Sequence, residues 1–315
     1  DVPRFFRTSR KRLTSSMVRA IFNRCPRPTI RKENVIHMIS TLHGQTTLYS
    51  NINTDIRIAK ETGYQAIELH TDKLLRYLDA GYSAEDLRVT LKTHAILPAC
   101  IDILGAVERC TPAERQCLMD EAQRLCDVAH VIGCPTIQLN AFCGLAQRPW
   151  EEILKLTAAN IADIADIGQA YGIQFQLEGA AWTPIHSLSQ CLQLIEAVDR
   201  KNVGLVIDFW HLWASRGSRP EALARLDKHV IYGVHLADGK RPSEGEPWVD
   251  EKRLRGFLPG DGDLPIAEWV AAVKATGFDG VVSGEILNDQ LWERDLYEIA
   301  ADMRQRMDQY WVNSL

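Results

Sequence analysis

The sequence predicts a closed (β/α)8 barrel, a single α/β domain. Three observations lead there. Eight short apolar runs, each followed by a stretch with helical spacing, alternate over about 280 residues from Asn34 onward. Four successive runs in the second half end in an acid or a histidine. A doubly wound open sheet would need a Gly-x-Gly-x-x-Gly turn or a P-loop after an early strand, and neither is present.

Taken in order, Val35–Ile39 reads as the first strand, with Thr41–Ser50 as loop. A helix through Ile52, Ile56, Ile58 and Ala59 stops at Gly63. Ala66–His70 is the second strand and Ala84–His94 a helix; Pro98–Ile103 is the third strand. Thr111-Pro112 opens a long amphipathic helix that Gly133 ends, because proline suits the first helical position and glycine the C-cap. Pro135–Asn140 is the fourth strand, Trp150–Tyr171 a helix, and Ile173–Glu178 the fifth strand. Leu188–Val198 is helical and Val203–Asp208 is the sixth strand. A short helix over 220–226 precedes the seventh strand, Val230–Leu236. The loop Ala237–Leu264 carries five glycines and three prolines. Pro265–Thr276 is a helix stopped by Gly277, Gly280–Glu285 the eighth strand, and Leu291–Tyr310 the closing helix.

The 315 residues, 46% hydrophobic and 24% charged, suffice for a large core, and the net charge of −5 gives no reason to expect nucleic acid. No apolar run approaches the roughly 18 residues of a membrane span. The eight cysteines are scattered without a C-x-x-C pair, which fits a reduced cytoplasmic protein better than a disulfide scaffold. Residues 1–33 stand apart, with ten Lys/Arg against Asp1 and Glu33. They read as a basic, poorly ordered extension, Arg-rich like an organelle transit peptide. Residues 34–315 carry 26 basic and 39 acidic residues, a net charge of −13.

The chemistry concentrates at the strand ends. The fifth strand ends at Glu178, the sixth at Asp208 with His211 beyond, the seventh at His235 and the eighth at Glu285. In a barrel these ends converge on one mouth. Three carboxylates and an imidazole make an oxygen-rich site for one divalent ion such as Mn²⁺, Mg²⁺ or Co²⁺. Without an ion the acids would repel and raise one another's pKa. Each taken singly is a helix-capping acid or a buried histidine; four in succession argue for a site. Glu68 and His70 at the end of the second strand, Asn140, and His37 and His43 near the first are candidates for the same mouth. So are Trp182, Trp210, Trp213 and Trp248, whose rings suit a polyol face and serve core packing equally well. Asp238 is a candidate partner for His235, and Asp261-Gly262-Asp263 shapes the loop.

The pattern resembles the xylose isomerase-like TIM barrel superfamily. Its sugar isomerase/epimerase branch, which includes D-tagatose 3-epimerase, hydroxypyruvate isomerase and inosose-processing enzymes, is the nearest in motif. The resemblance spans about residues 34–311. It rests on Gln-Leu-Glu178, Asp208-Phe-Trp-His211, Gly-Val-His235-Leu-Ala-Asp, Arg241, Pro259-Gly-Asp-Gly262 and Glu285. It implies that Glu178, Asp208, His235 and Glu285 hold the metal, with Glu178 and Glu285 as acid/base pair. His211 and Arg241 would touch substrate oxygens, with Glu68 and Trp210 as further substrate contacts. Those epimerases carry one more glutamate six residues after the fifth-strand ligand, where this chain has Pro184.

The implied activity is a metal-dependent isomerisation or epimerisation of a sugar, keto-sugar or inosose-type polyol. The alternative is a dehydratase of the 3-dehydroshikimate or inosose type, which shares the proton abstraction. An endonuclease IV type of repair enzyme needs three metals and further histidines, which the loop Pro247–Lys252 lacks, and the acidic body disfavours DNA. A non-catalytic barrel would have lost ligand residues, and all four are present. The expected partner is a small-molecule sugar or polyol, with no nucleic acid or membrane; homo-oligomerisation is left open.

Overall fold

The computed structural model describes residues 38–245 and 251–311. The strands in chain order are β1 (Ile39–His43), β2 (Ala66–His70), β3 (Leu97–Gly105), β4 (Thr136–Asn140), β5 (Gln174–Glu178), β6 (Val203–Asp208) and β7 (Ile231–Leu236). A two-stranded antiparallel ribbon follows, β8 (Asp238–Gly239) with β9 (Arg255–Phe257), and then β10 (Val281–Gly284). β1 to β7 and β10 are parallel and close into a barrel, with β1 pairing both β2 and β10. The (β/α)8 fold class is therefore the one the sequence predicts.

Seven barrel strands fall within two residues of their expected bounds. The first does not. The expected run starts at Val35, but residues 35–37 lie outside the described set, as does the basic segment 1–33, and β1 continues to His43. Ser40, Thr41, Leu42 and His43 are all buried. Their polar groups are satisfied inside: Gln65 Oε1 accepts from the Ser40 N–H, and Thr41 Oγ1 donates to the Ile39 carbonyl. A strand with polar inward residues has no apolar signature, so the alternation rule misplaces it.

Helices fill the crossovers as expected, with additions that include Thr71–Asp79 directly after β2 and Phe209–Ala214 directly after β6. The helices Ala84–His94, Pro112–Ile132 and Leu188–Val198 begin with capping boxes, on Ser83/Asp86, Thr111/Glu114 and Ser187/Gln190. The turn after β1 is pinned by Lys73. Its buried ammonium donates to the carbonyls of Gly44 and Thr47 and pairs with Asp55 at 2.7 Å. A charge so deeply buried is tolerable only when it is paired and hydrogen-bonded in this way.

Strand register sets the mouth. Asp208 lies level with His235, and Asn140 level with Glu178. One-residue slips would turn these side chains outward, because side chains alternate with period two. No helix of the described residues is long and apolar enough to cross a membrane. The seven cysteines among them are free thiols.

Candidate metal centre

β5, β6, β7 and the residue after β10 bring together the four predicted ligands. Glu178, Asp208, His235 and Glu285 each offer one donor atom, and the four atoms lie within 4.8 Å of one another. Their exposures are 6, 1, 0 and 7%. His235 Nδ1 is 3.5 Å from Glu178 Oε1 and 3.1 Å from Glu285 Oε2. Donors sharing one ion at about 2.1 Å stand about 3.0–3.5 Å apart, so these separations suit a divalent ion. Glu178 Oε1 and His235 Nδ1 are moreover buried without hydrogen-bond partners among the described residues. Orphaned buried polar atoms are costly, and an ion at this point would satisfy both.

Asp208 realises both readings of its position. Its Oδ1 caps the short helix Phe209–Ala214 by accepting from the His211 N–H at 2.7 Å. Its Oδ2 faces the centre, where Arg255 Nη2 sits 2.5 Å away. One carboxylate thus ties a helix start to the site.

Arg255 is the residue that sequence reasoning missed. It is buried at the start of β9, and its Nη2 pairs with Asp208 and Glu285 and lies 4.0 Å from Glu178 Oε1. Two loop features hold it there. The Asp238 carboxylate accepts from the N–H groups of Gly260, Gly262 and Leu264, gathering the long loop. A Cβ on Gly262 would lie 2.3 Å from that carboxylate. Gly256, at φ +88°, lets β9 press against Leu287, whose backbone a Cβ would meet at 2.5 Å. Asp238 is therefore a loop anchor and not the partner of His235.

The other predicted contacts divide. His211 is at the site: its Nε2 lies 4.0 Å from Glu178 Oε1, and its Nδ1 accepts from the Ala181 N–H at 3.2 Å. A neutral ring that accepts at Nδ1 carries its proton on Nε2, aimed at the centre. Asn140 Nδ2 donates to Glu178 Oε2 at 3.0 Å. Arg241 is not brought in; its guanidinium stacks 4.5 Å over Trp213 and lines an outer cavity with Arg216, Arg219 and Glu268. Arg255, at the start of β9, is the arginine turned toward the four ligands. Trp210 is fully buried beside Arg255, donates from Nε1 to the Lys240 carbonyl and packs against the loop. Glu68 is wholly buried and faces His235 from below, Oε2 to Nε2 3.1 Å. His70 caps the helix after β2. Trp182 edges against His211. His37, Trp248 and most of the loop Pro247–Lys252 lie outside the described residues.

The charges follow from this packing. Burial pushes Glu285 up, but Arg255, His43 and His235 overcome it and hold the carboxyl well below the usual range. Burial wins at Asp208, whose pKa is raised despite Arg255. Burial, with Arg255 nearby, pushes His211 down to about 3 from 6.5. Above the unfolded value His211 is neutral in both states; below it, the unfolded chain binds a proton that the folded chain refuses. Its contribution is thus complete above pH 6.5 and is lost as pH falls toward about 3. His211→Asn should flatten the acid limb of a Tm-against-pH curve over that window. A limb identical to wild type would show that His211 does not stay neutral.

Known proteins share the fold of this chain. An inosose isomerase of Bacillus velezensis is 28% identical over 247 residues, covering 78% of this chain and 86% of the relative. A 3-dehydroshikimate dehydratase of Pseudomonas aeruginosa is 24% identical over 72% of this chain, which spans 34% of that longer protein. A crystal structure of the IOLI protein with a binding zinc atom superposes with a TM-score of 0.81 at 24% identity, over 88% of this chain and 99% of the other. The profile of the xylose isomerase-like TIM barrel matches residues 56–309, and the chain belongs to that family.

Proposed function

We infer that this protein is a divalent-metal-dependent isomerase or epimerase acting on a sugar, keto-sugar or inosose-type polyol. The observation that carries the reading is the buried meeting of Glu178, Asp208, His235 and Glu285 around one point, with two further donors, His211 and Arg255, facing it. The inosose isomerase relatives support the substrate class. A divalent ion held by the four would polarise a carbonyl and lower the barrier to removing the adjacent proton.

The chain's own residues supply the rest. Asn140 fixes the Glu178 carboxylate through Oε2, and this carboxylate takes the proton from carbon. Negative charge then grows on the substrate oxygen, where the His211 Nε2–H and the Arg255 guanidinium donate. β5 and β10 are separated by β6 and β7 in the barrel, so Glu178 and Glu285 flank the centre from two sides. Epimerisation follows when the proton taken by Glu178 stays there and a second proton, carried by Glu285 once substrate is bound, is delivered to the opposite face. Return of the proton by Glu178 to the neighbouring carbon gives isomerisation.

Ketoses, inososes, keto-glycosides and 3-dehydroshikimate incubated in deuterated water test the reading. Deuterium is expected to enter a carbon next to a carbonyl without net loss of water. Water loss tracking exchange would replace this reading with the dehydratase, which the Pseudomonas relatives favour.

A further inference from the structure

The side of His235 that faces away from the carboxylates is as ordered as the side that faces them. Nδ1 looks toward Glu178 and Glu285, while Nε2 lies 3.1 Å from Glu68 Oε2. Glu68 comes from β2, which β10 and β1 separate from β7, and is itself wholly buried. It is flanked by His43, its neighbour in register on β1. The His43 Nδ1 accepts from the Gln45 N–H at 3.0 Å, which places the His43 proton on Nε2. That nitrogen lies 3.6 Å from Glu68 Oε2 and 3.5 Å from Asp102 Oδ2, and the two imidazoles meet edge to face at 5.0 Å. Glu68 thus contacts His235 directly, and His43 Nε2 stands beside it just beyond hydrogen-bond distance.

We propose that Glu68 is a positioning residue that fixes His235 in the Nε2–H form, so that Nδ1 is the atom presented to the ion. The proposal rests on the metal-centre reading and deepens it. An imidazole that binds an ion is neutral and keeps one N–H, and the group accepting that hydrogen decides which nitrogen is left to ligate. Glu68 Oε2 is the acceptor within reach of Nε2. His43 packs beside Glu68, with its own tautomer set by the turn after β1. This replaces the substrate contact expected of Glu68, whose carboxylate is sealed beneath His235.

The test has an arm that needs no substrate and one that needs no mutation. Glu68→Gln can present its amide N–H to Nε2 and so favour the wrong tautomer. It should weaken Zn²⁺ or Co²⁺ binding about 10–100-fold, measured by chelator competition. The visible spectrum of the Co²⁺-loaded variant should shift, and Glu68→Asp should recover part of the affinity. Affinity and spectrum equal to wild type in Glu68→Gln would overturn the proposal. Should that variant not fold, nitrogen NMR of the wild-type Zn²⁺-loaded protein decides: Nδ1 bound to metal with a proton on Nε2 is expected, and the reverse refutes it. A wild-type chain that binds no divalent ion would instead remove the metal-centre reading.

Discussion

Glu178→Gln is expected to lower kcat by about 10²–10⁴-fold, the usual contribution of a positioned general base. The substitution keeps the side chain's volume, and its amide oxygen can still accept from Asn140 Nδ2, so the strand end should remain in place. What it removes is the basic carboxylate. Because Glu178 also offers Oε1 to the ion, the comparison belongs at saturating metal, with bound metal measured alongside. The sharper measurement is solvent deuterium exchange into substrate carbon, which reports proton removal without waiting for product. Exchange should fall as far as turnover in Glu178→Gln. In Glu285→Gln, an epimerase would keep exchange at carbon while losing the inverted product, since only the second face is served from β10. Exchange at the wild-type rate in Glu178→Gln would assign the base to another group.

Much of this was legible in the sequence, for a physical reason. Buried parallel strands must be apolar, so an acid or histidine at the end of such a run stands out, and Glu178, Asp208, His235 and Glu285 are marked in this way. What was illegible lay where periodicity stops. Arg255 sits in the glycine- and proline-rich stretch between β7 and β10, with no pattern to say which of its cations turns inward. The signals were indirect: Gly256, needed at positive φ against Leu287, and Asp238, whose carboxylate collects the loop's N–H groups. The family resemblance pointed to Arg241, which stacks on Trp213. Glu68 differs again. Its strand was placed correctly, but a residue on a strand end can face the mouth or lie against its neighbours, and only the barrel's closure brings it to His235 Nε2.

Arg255→Met should have the second large effect, and a double one. In turnover, losing one donor to a developing oxyanion typically costs about 10²–10³-fold in kcat. In stability, the metal-free variant leaves Asp208 and Glu285 buried without the guanidinium that pairs with both. Removing one partner of a buried ion pair costs about 3–5 kcal/mol, because an uncompensated charge remains. Methionine fills much of the volume beside Trp210, so the loss is electrostatic more than a cavity. The two effects separate through metal. An ion that binds only the folded chain stabilises it by an amount set by its affinity, and among these carboxylates it meets less cationic competition once Arg255 is gone. The rise in Tm on adding Zn²⁺ or Mn²⁺ should therefore be larger in Arg255→Met than in wild type, while kcat at saturating metal stays depressed. Arg255→Lys should restore most of the metal-free stability and little of the turnover, since an ammonium supplies charge but not the planar fork that bridges two oxygens. Equal metal-induced shifts in variant and wild type would mean that Arg255 does not share the centre with the ion. Full turnover in Arg255→Met would mean that the charge developing on the substrate is met elsewhere, and would return His211 to the position of sole donor facing Glu178.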